Sequence, residues 1–253
     1  MRKKTFITGA TAGIGEACAE RFAQGGYDLI LSGRREDRLE KLKQRLEENY
    51  EVRIKTLCFD IRDRTAVFCA VVSLETEWQS IDVLVNNAGL ALGMDLFPVT
   101  DLADWDAMID TNVKGFLYVT KAILPRMIDR KKGHIINIGS ISGKDVYEKA
   151  SIYCATKHAV DALNKALRID LLKYRIKVTA INPGATETEF SQVRFRGDTQ
   201  RAKSVYEGYQ PLNPTDVADV IYYTTTLPEH VCINDLVVTP LAEANIFYLN
   251  KDR

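Results

Sequence analysis

The chain has 253 residues, enough for one large hydrophobic core. Its 34 Lys and Arg balance 34 Asp and Glu, so no basic excess points to nucleic acid or an anionic membrane surface. The longest purely apolar run, residues 66–72, is far shorter than the roughly 18 residues of a membrane span, and glycines from Gly9 onward interrupt any signal-peptide core.

A cytoplasmic protein with no membrane and no nucleic-acid partner is expected. The five cysteines form no CxxC and the three histidines no HExxH, so neither a structural zinc site nor a disulfide framework is expected, and no metal. Cys154 is read as a small filler, with a nucleophile as the alternative.

The first predicted strand, 4–8, runs into TGATAGIG (8–15), and a helix follows. Glycines at 9, 13 and 15 allow a tight turn and close approach to a ligand, and helix-start N–H groups favour a phosphate. The spacing differs from G-x-G-x-x-G. The second strand, 27–32, ends in SGRR (32–35), where a carboxylate for ribose hydroxyls would stand in many NAD-binding folds. Arg34 and Arg35 suit a 2′-phosphate instead, and arginines at a helix start gain little from the macrodipole. NADP(H) is therefore expected rather than NAD. Leu39, Leu42 and Leu46 then mark the buried stripe of a charged helix.

Further strands are predicted at 52–59, 81–86, 134–139, 177–182 and 235–239. They are rich in Ile, Val and Leu with little alternation, as in strands buried on both faces. With helices between most of them, the pattern predicts an α/β fold: a single-domain, Rossmann-like, doubly wound parallel sheet of about seven strands with helices on both faces, spanning 1–253. Tyr153 and Lys157 are i and i+4, hence on one helix face, and the ammonium is expected to lower the tyrosine pKa. Residues 185–212 lack a buried period and are read as a lid or a long surface excursion. Pro214 opens a helix with Asn213 as its cap.

TGATAGIG, NNAG (86–89), Asn112 in TNVKG, IINIGS (135–140), YCATK (153–157) and NPG (182–184) occur in the order of the short-chain dehydrogenase/reductase family. The chain resembles that family, of the short single-domain kind, over nearly its whole length. The resemblance implies that Ser140 bonds the substrate oxygen, Tyr153 exchanges its proton, Lys157 binds nicotinamide ribose and Asn112 anchors a relay water. It implies cofactor contacts at Gly9, Thr11, Gly13, Ile14, Gly15, Arg34, Arg35, Asp60, Ile61, Asn87, Ala88, Gly89, Tyr153, Lys157, Pro183 and Gly184. Thr188 is taken as the motif threonine near the nicotinamide, with Thr186 as the alternative. It also implies a homotetramer, with 102–130 and 150–174 as candidate interface stretches.

NNAGLALGMD (86–95), EFSQVRFRGD (189–198) and TTLPEHVCIN (225–234) are similar to the NADP-dependent 3-hydroxy acid dehydrogenases of this family, acting on serine, allo-threonine and related acids. Arg194 is then the candidate for a substrate carboxylate, against a lid arginine in solvent or in an internal salt bridge. Phe195 closes over the site or packs the lid; Tyr147 joins Ser140 and Arg194 as a candidate substrate contact, and Ser142 and Lys144 are expected near the pocket. The implied partner is a small hydroxy acid or carbonyl compound. A reductase of larger ketones or 3-oxoacyl thioesters is the second reading, and a dinucleotide-binding regulator the non-enzymatic one.

Overall fold

The computed structural model describes residues 2–252. Seven parallel strands form one sheet: β1 (Lys4–Thr8), β2 (Asp28–Gly33), β3 (Ile54–Cys58), β4 (Val83–Asn86), β5 (Gly133–Ile138), β6 (Ile176–Pro183) and β7 (Asp235–Val238). Their order is β3-β2-β1-β4-β5-β6-β7. Each predicted strand is present, with ends shifted by no more than two residues. The order reverses between β1 and β4, and a crevice at such a switch point is where open α/β sheets gather ligands.

Side-chain alternation fills both faces of the sheet. Ile7, Leu29 and Leu31 point to one side, where they meet α1 (Gly13–Gln24), α2 (Glu36–Asn49) and α9 (Pro214–Thr226). Phe6 and Ile30 point to the other, under α3 (Arg64–Val72), α5 (Phe116–Arg130) and the end of α6 (Ser151–Leu171). The leucine stripe of α2 is buried as its spacing required. A capping box of Asn213 and Asp216 starts α9, with Pro214 at its first position.

Two regions differ from the sequence expectation. Residues 185–212 hold two short helices, α7 (Glu189–Arg194) and α8 (Thr199–Ser204), capped by the side chains of Thr188 and Asp198. Ser191, Phe195 and Ala202 are buried there, so tertiary contact supplies the apolar face that the local pattern does not display. The C-terminal segment adds an unexpected antiparallel hairpin, β8 (Glu243–Asn245) and β9 (Tyr248–Leu249). A ladder of two or three residues is too short to leave a pattern in the sequence.

Candidate active site and cofactor groove

The glycine turn sits between β1 and α1 with Gly9 and Gly13 in the left-handed region, at φ 66° and 55°. A Cβ on Gly15 would overlap the Gly9 carbonyl, and one on Gly13 would lie 3.1 Å from the Thr188 side chain. The residue capping α1 is Ala12, which offers its first-turn N–H groups no side-chain acceptor. Unsatisfied N–H groups beside a backbone with no Cβ suit a pyrophosphate. The Thr8 hydroxyl accepts from Asn87 N–H and Ala88 N–H, each at 2.9 Å, and Asn87 Nδ2 donates to Thr8 O at 2.9 Å. These bonds join the glycine turn to NNAG and form one wall of the groove.

Arg34 and Arg35 face different neighbours. Arg34 is 59% exposed at its side chain and stands 3.9 Å from Asp60. Arg35 donates to the Thr11 hydroxyl at 2.8 Å and to Glu189 of α7 at 2.9 Å. Glu189 also accepts from Arg38 at 2.7 Å, and these two arginines hold its carboxyl below the usual carboxylate range. Arg35 therefore has a structural role that its helix-start position did not suggest. Asp60 is bonded by Arg62 at 2.7 Å. The Ile61 side chain is buried against Gly115, and Ile14 packs partly on the core beneath α1.

Ser140, at the end of β5, caps a single 3-10 turn. Its Oγ accepts from Ser142 N–H at 3.0 Å, which leaves the hydroxyl proton free to donate. Tyr153 and Lys157 share the buried face of α6. Lys157 Nζ donates to Ile138 O at 2.9 Å and lies 5.9 Å from the Tyr153 ring centre. Burial pulls the Lys157 ammonium down to about 8.

The expected lowering of the Tyr153 pKa is not what the protein's own groups produce. Burial raises the phenol above its ordinary value, and Tyr147 adds to this; the Ser140 hydroxyl and the Arg194 guanidinium oppose it. Desolvation of the phenolate outweighs both helpers, and the cation acting on it is Arg194.

Asn112 lies in a π turn, residues 110–115, between α4 (Leu102–Ile109) and α5. Its amide accepts from Leu90 N–H at 2.8 Å and donates to Leu90 O at 2.8 Å and the Thr156 hydroxyl at 3.0 Å. The side chain thus staples the NNAG loop to α6. Gly89 leaves room for this: a Cβ there would lie 3.3 Å from Asn112 Oδ1 and 3.8 Å from Lys157 Nζ.

Past β6, Pro183 and Gly184 lead to Thr186, whose hydroxyl donates to Gly184 O at 3.1 Å, and to Thr188, whose hydroxyl accepts from Phe190 N–H at 3.0 Å. Arg194 then descends over the catalytic face of α6. Its Nε donates to Gly93 O at 3.1 Å and its Nη1 to the Tyr147 hydroxyl at 2.8 Å. Its Cζ is 5.8 Å from the Tyr153 ring centre, and its buried Nη2 has no partner among the described residues. Arg194 is therefore partly buried, and it makes no ion pair among the described residues.

Phe195 packs within the lid, under the Arg201 guanidinium at 4.5 Å. Phe190, which sequence reading passed over, lies against Tyr153 with ring centres 5.6 Å apart. Lys144 points away to Asp161 and Asp235, at 2.6 and 2.5 Å. Cys154 is fully buried and burial raises its thiol, as a filler requires. Phe190, Glu189 and Gly93 lie within the stretches 189–198 and 86–95, but nothing in those stretches by itself singles them out, since their partners come from segments distant in sequence.

The family model for short chain dehydrogenases matches residues 3–198. The chain is 45% identical over 240 residues to the NADP-dependent 3-hydroxy acid dehydrogenase YdfG of Escherichia coli K12, covering 94% of this chain and 95% of that protein. It is 44% identical over 254 aligned positions to sulfoacetaldehyde reductase 2 of Chromohalobacter salexigens, covering all of both chains. Among solved structures, the closed form of a serine dehydrogenase complexed with NADP+ superposes with a TM-score of 0.92 at 45% identity, covering 99% of each chain. With its glycine turn, Ser140, Tyr153 and Lys157 at one end of a parallel sheet, the chain belongs to the short chain dehydrogenase family.

Proposed function

We propose that this protein is an NADP-dependent oxidoreductase that transfers hydride between a small 3-hydroxy acid and NADP, with Tyr153 as general acid and base. When bound, the nicotinamide supplies or accepts the hydride. The glycine turn and the start of α1 hold the pyrophosphate, Arg34 and Arg35 read the 2′-phosphate, and Lys157 takes the nicotinamide ribose. Ser140 donates its free hydroxyl proton to the substrate oxygen. In carbonyl reduction Tyr153 hands its proton to that oxygen; in alcohol oxidation the tyrosinate takes it back. Residues 185–212 act as the lid over the groove.

The observation that carries the substrate class is the unpartnered Nη2 of Arg194, buried beside Tyr153. A buried guanidinium N–H without an acceptor is unfavourable, and an anionic oxygen satisfies it with a charge-assisted bond. The hydroxy acid dehydrogenase and serine dehydrogenase relatives support a carboxylate. A sulfonate fits the same donor, and the full-length match to sulfoacetaldehyde reductase 2 favours that second reading. A long acyl thioester offers no matching anion at this distance.

The test is NADP+ reduction over L- and D-serine, the threonine diastereomers, 3-hydroxypropionate, 3-hydroxyisobutyrate and isethionate, against neutral secondary alcohols. The acids should lead in kcat/KM by about tenfold or more, the value of one charge-assisted bond. Arg194→Ala should erase that lead, while Tyr153→Phe should lose ~10²–10⁴-fold on every substrate with NADPH binding retained. Equal use of neutral alcohols and acids by the unaltered enzyme would overturn the assignment.

A further inference from the structure

The loop between β6 and α7 is tied down by backbone and side-chain bonds. Gly184 N–H donates to Val238 O at 2.8 Å, Ala185 O accepts from Leu212 N–H at 2.9 Å, and Glu187 N–H donates to Leu212 O at 2.9 Å. Side chains add to this: the Thr186 hydroxyl donates to Gly184 O at 3.1 Å, the Tyr206 hydroxyl donates to Thr186 O at 2.9 Å, and Ala185 N–H donates to Glu243 Oε2 at 2.9 Å, where Glu243 is the one carboxylate of the three.

Glu243 comes from β8, fifty-eight residues further along the chain. It is only 9% exposed, and burial raises its carboxyl above the usual range. Burying a carboxylate is unfavourable unless it is well bonded. Gly184 makes the room: a Cβ there would overlap Glu243 Oε2 and come within 3.1 Å of Thr239. Gly184 is not among the residues with positive φ, so its missing side chain provides space rather than a special backbone conformation.

The hairpin that carries Glu243 is itself anchored. Glu243 N–H donates to Pro240 O at 2.9 Å, Asn250 N–H to Ala242 O at 2.8 Å, and Asp252 N–H to Gly208 O at 2.6 Å. The C-terminal segment therefore touches both the end of the lid region and the loop leading into it.

We infer that Glu243 is a positioning residue for the nicotinamide end of the cofactor groove. Its carboxylate fixes the peptide between Gly184 and Ala185, and so sets the path of the chain to Thr186 and Thr188. This inference rests on the NADP reading above. It assigns a role in cofactor binding to the C-terminal hairpin, which lies outside the catalytic motifs.

The test is fluorescence titration of NADPH against the full-length protein and the variants Glu243→Ala, Glu243→Gln, Gly184→Ala and Gly184→Ala/Glu243→Ala. Loss of a charge-assisted bond to a backbone N–H should weaken NADPH about tenfold in Glu243→Ala. Glu243→Gln keeps an acceptor and should stay within about threefold of the parent, roughly half that bond's free energy. Gly184→Ala displaces the carboxylate, so it should weaken binding similarly, and the double variant should be no worse than either single one. Amide exchange at 184–188 should rise in Glu243→Ala while β1 and β4 keep their protection. Unchanged NADPH affinity in Glu243→Ala overturns the inference, as do additive losses in the double variant. If Glu243→Ala does not fold, Gly184→Ala with unchanged affinity overturns it equally. Failure of the unaltered protein to bind NADPH would instead overturn the cofactor reading.

Discussion

Lys157 is the residue whose environment differs most from what its spacing implies. A lysine four positions from a tyrosine reads as a cation that stabilises phenolate. In the fold both groups are buried, and each is pushed toward its neutral form. The folded chain releases the Lys157 proton near pH 8, whereas an unfolded lysine holds it to about 10.5. Between those values the unfolded state binds more protons, so this residue adds stability as pH rises. The cofactor-free parent should therefore gain on Lys157→Met by roughly 1–1.5 kcal/mol between pH 7 and pH 9. Urea unfolding at both values measures it, and a stability difference independent of pH would show that burial does not depress this lysine. The same desolvation leaves Tyr153 protonated in the resting fold, the form needed to reduce a carbonyl.

At the scale of elements, the end of β2 and the start of α2 concentrate the cofactor choice. Arg34 projects outward beside Asp60, while Arg35 bridges the glycine turn to α7 through Thr11 and Glu189. A 2′-phosphate at this edge would meet Arg34 directly and Arg35 through a guanidinium already oriented by two partners. Replacing both arginines with alanine should weaken NADPH by about tenfold to a hundredfold, on the basis of charged hydrogen bonds worth ~1.5–3 kcal/mol. NADH should weaken far less. Parallel titrations with the two dinucleotides decide it, and equal losses would mean that neither arginine reads the phosphate. The lid elements follow the same logic: α7 is too short to stand alone, and Arg194, Phe190 and Glu189 each tie it to a different wall of the groove.

Across the whole molecule, the sheet buries its two faces but the long helices keep apolar residues outward. Leu102 on α4, Ile169 near the end of α6 and Leu172 just beyond it are 65%, 76% and 77% exposed. Exposed large apolar side chains on these helices, Leu117 of α5 among them, suit an association surface, and closed symmetric assembly is the usual outcome. The 28.5 kDa chain should therefore elute as a species larger than a monomer. Leu117→Asp combined with Ile169→Glu should shift light-scattering mass toward smaller species. A parent protein that measures as a monomer would contradict the proposal.

The order of strands and helices was legible in the sequence because each buried strand and each amphipathic helix leaves a short-range pattern. So were the glycine turn at Gly9–Gly15 and the shared helix face of Tyr153 and Lys157, whose spacing is local; Ser140 entered through the resemblance. Tertiary structure alone decided which groups those residues meet. It brought Arg194 to Tyr153 across 41 positions, Arg35 to Glu189 across 154 and Glu243 to Ala185 across 58. It also reversed the expected direction of the Tyr153 shift, because desolvation depends on everything packed around a group and not on its neighbours in the chain. Periodicity records what a segment does for itself; burial and partnership are properties of the closed fold.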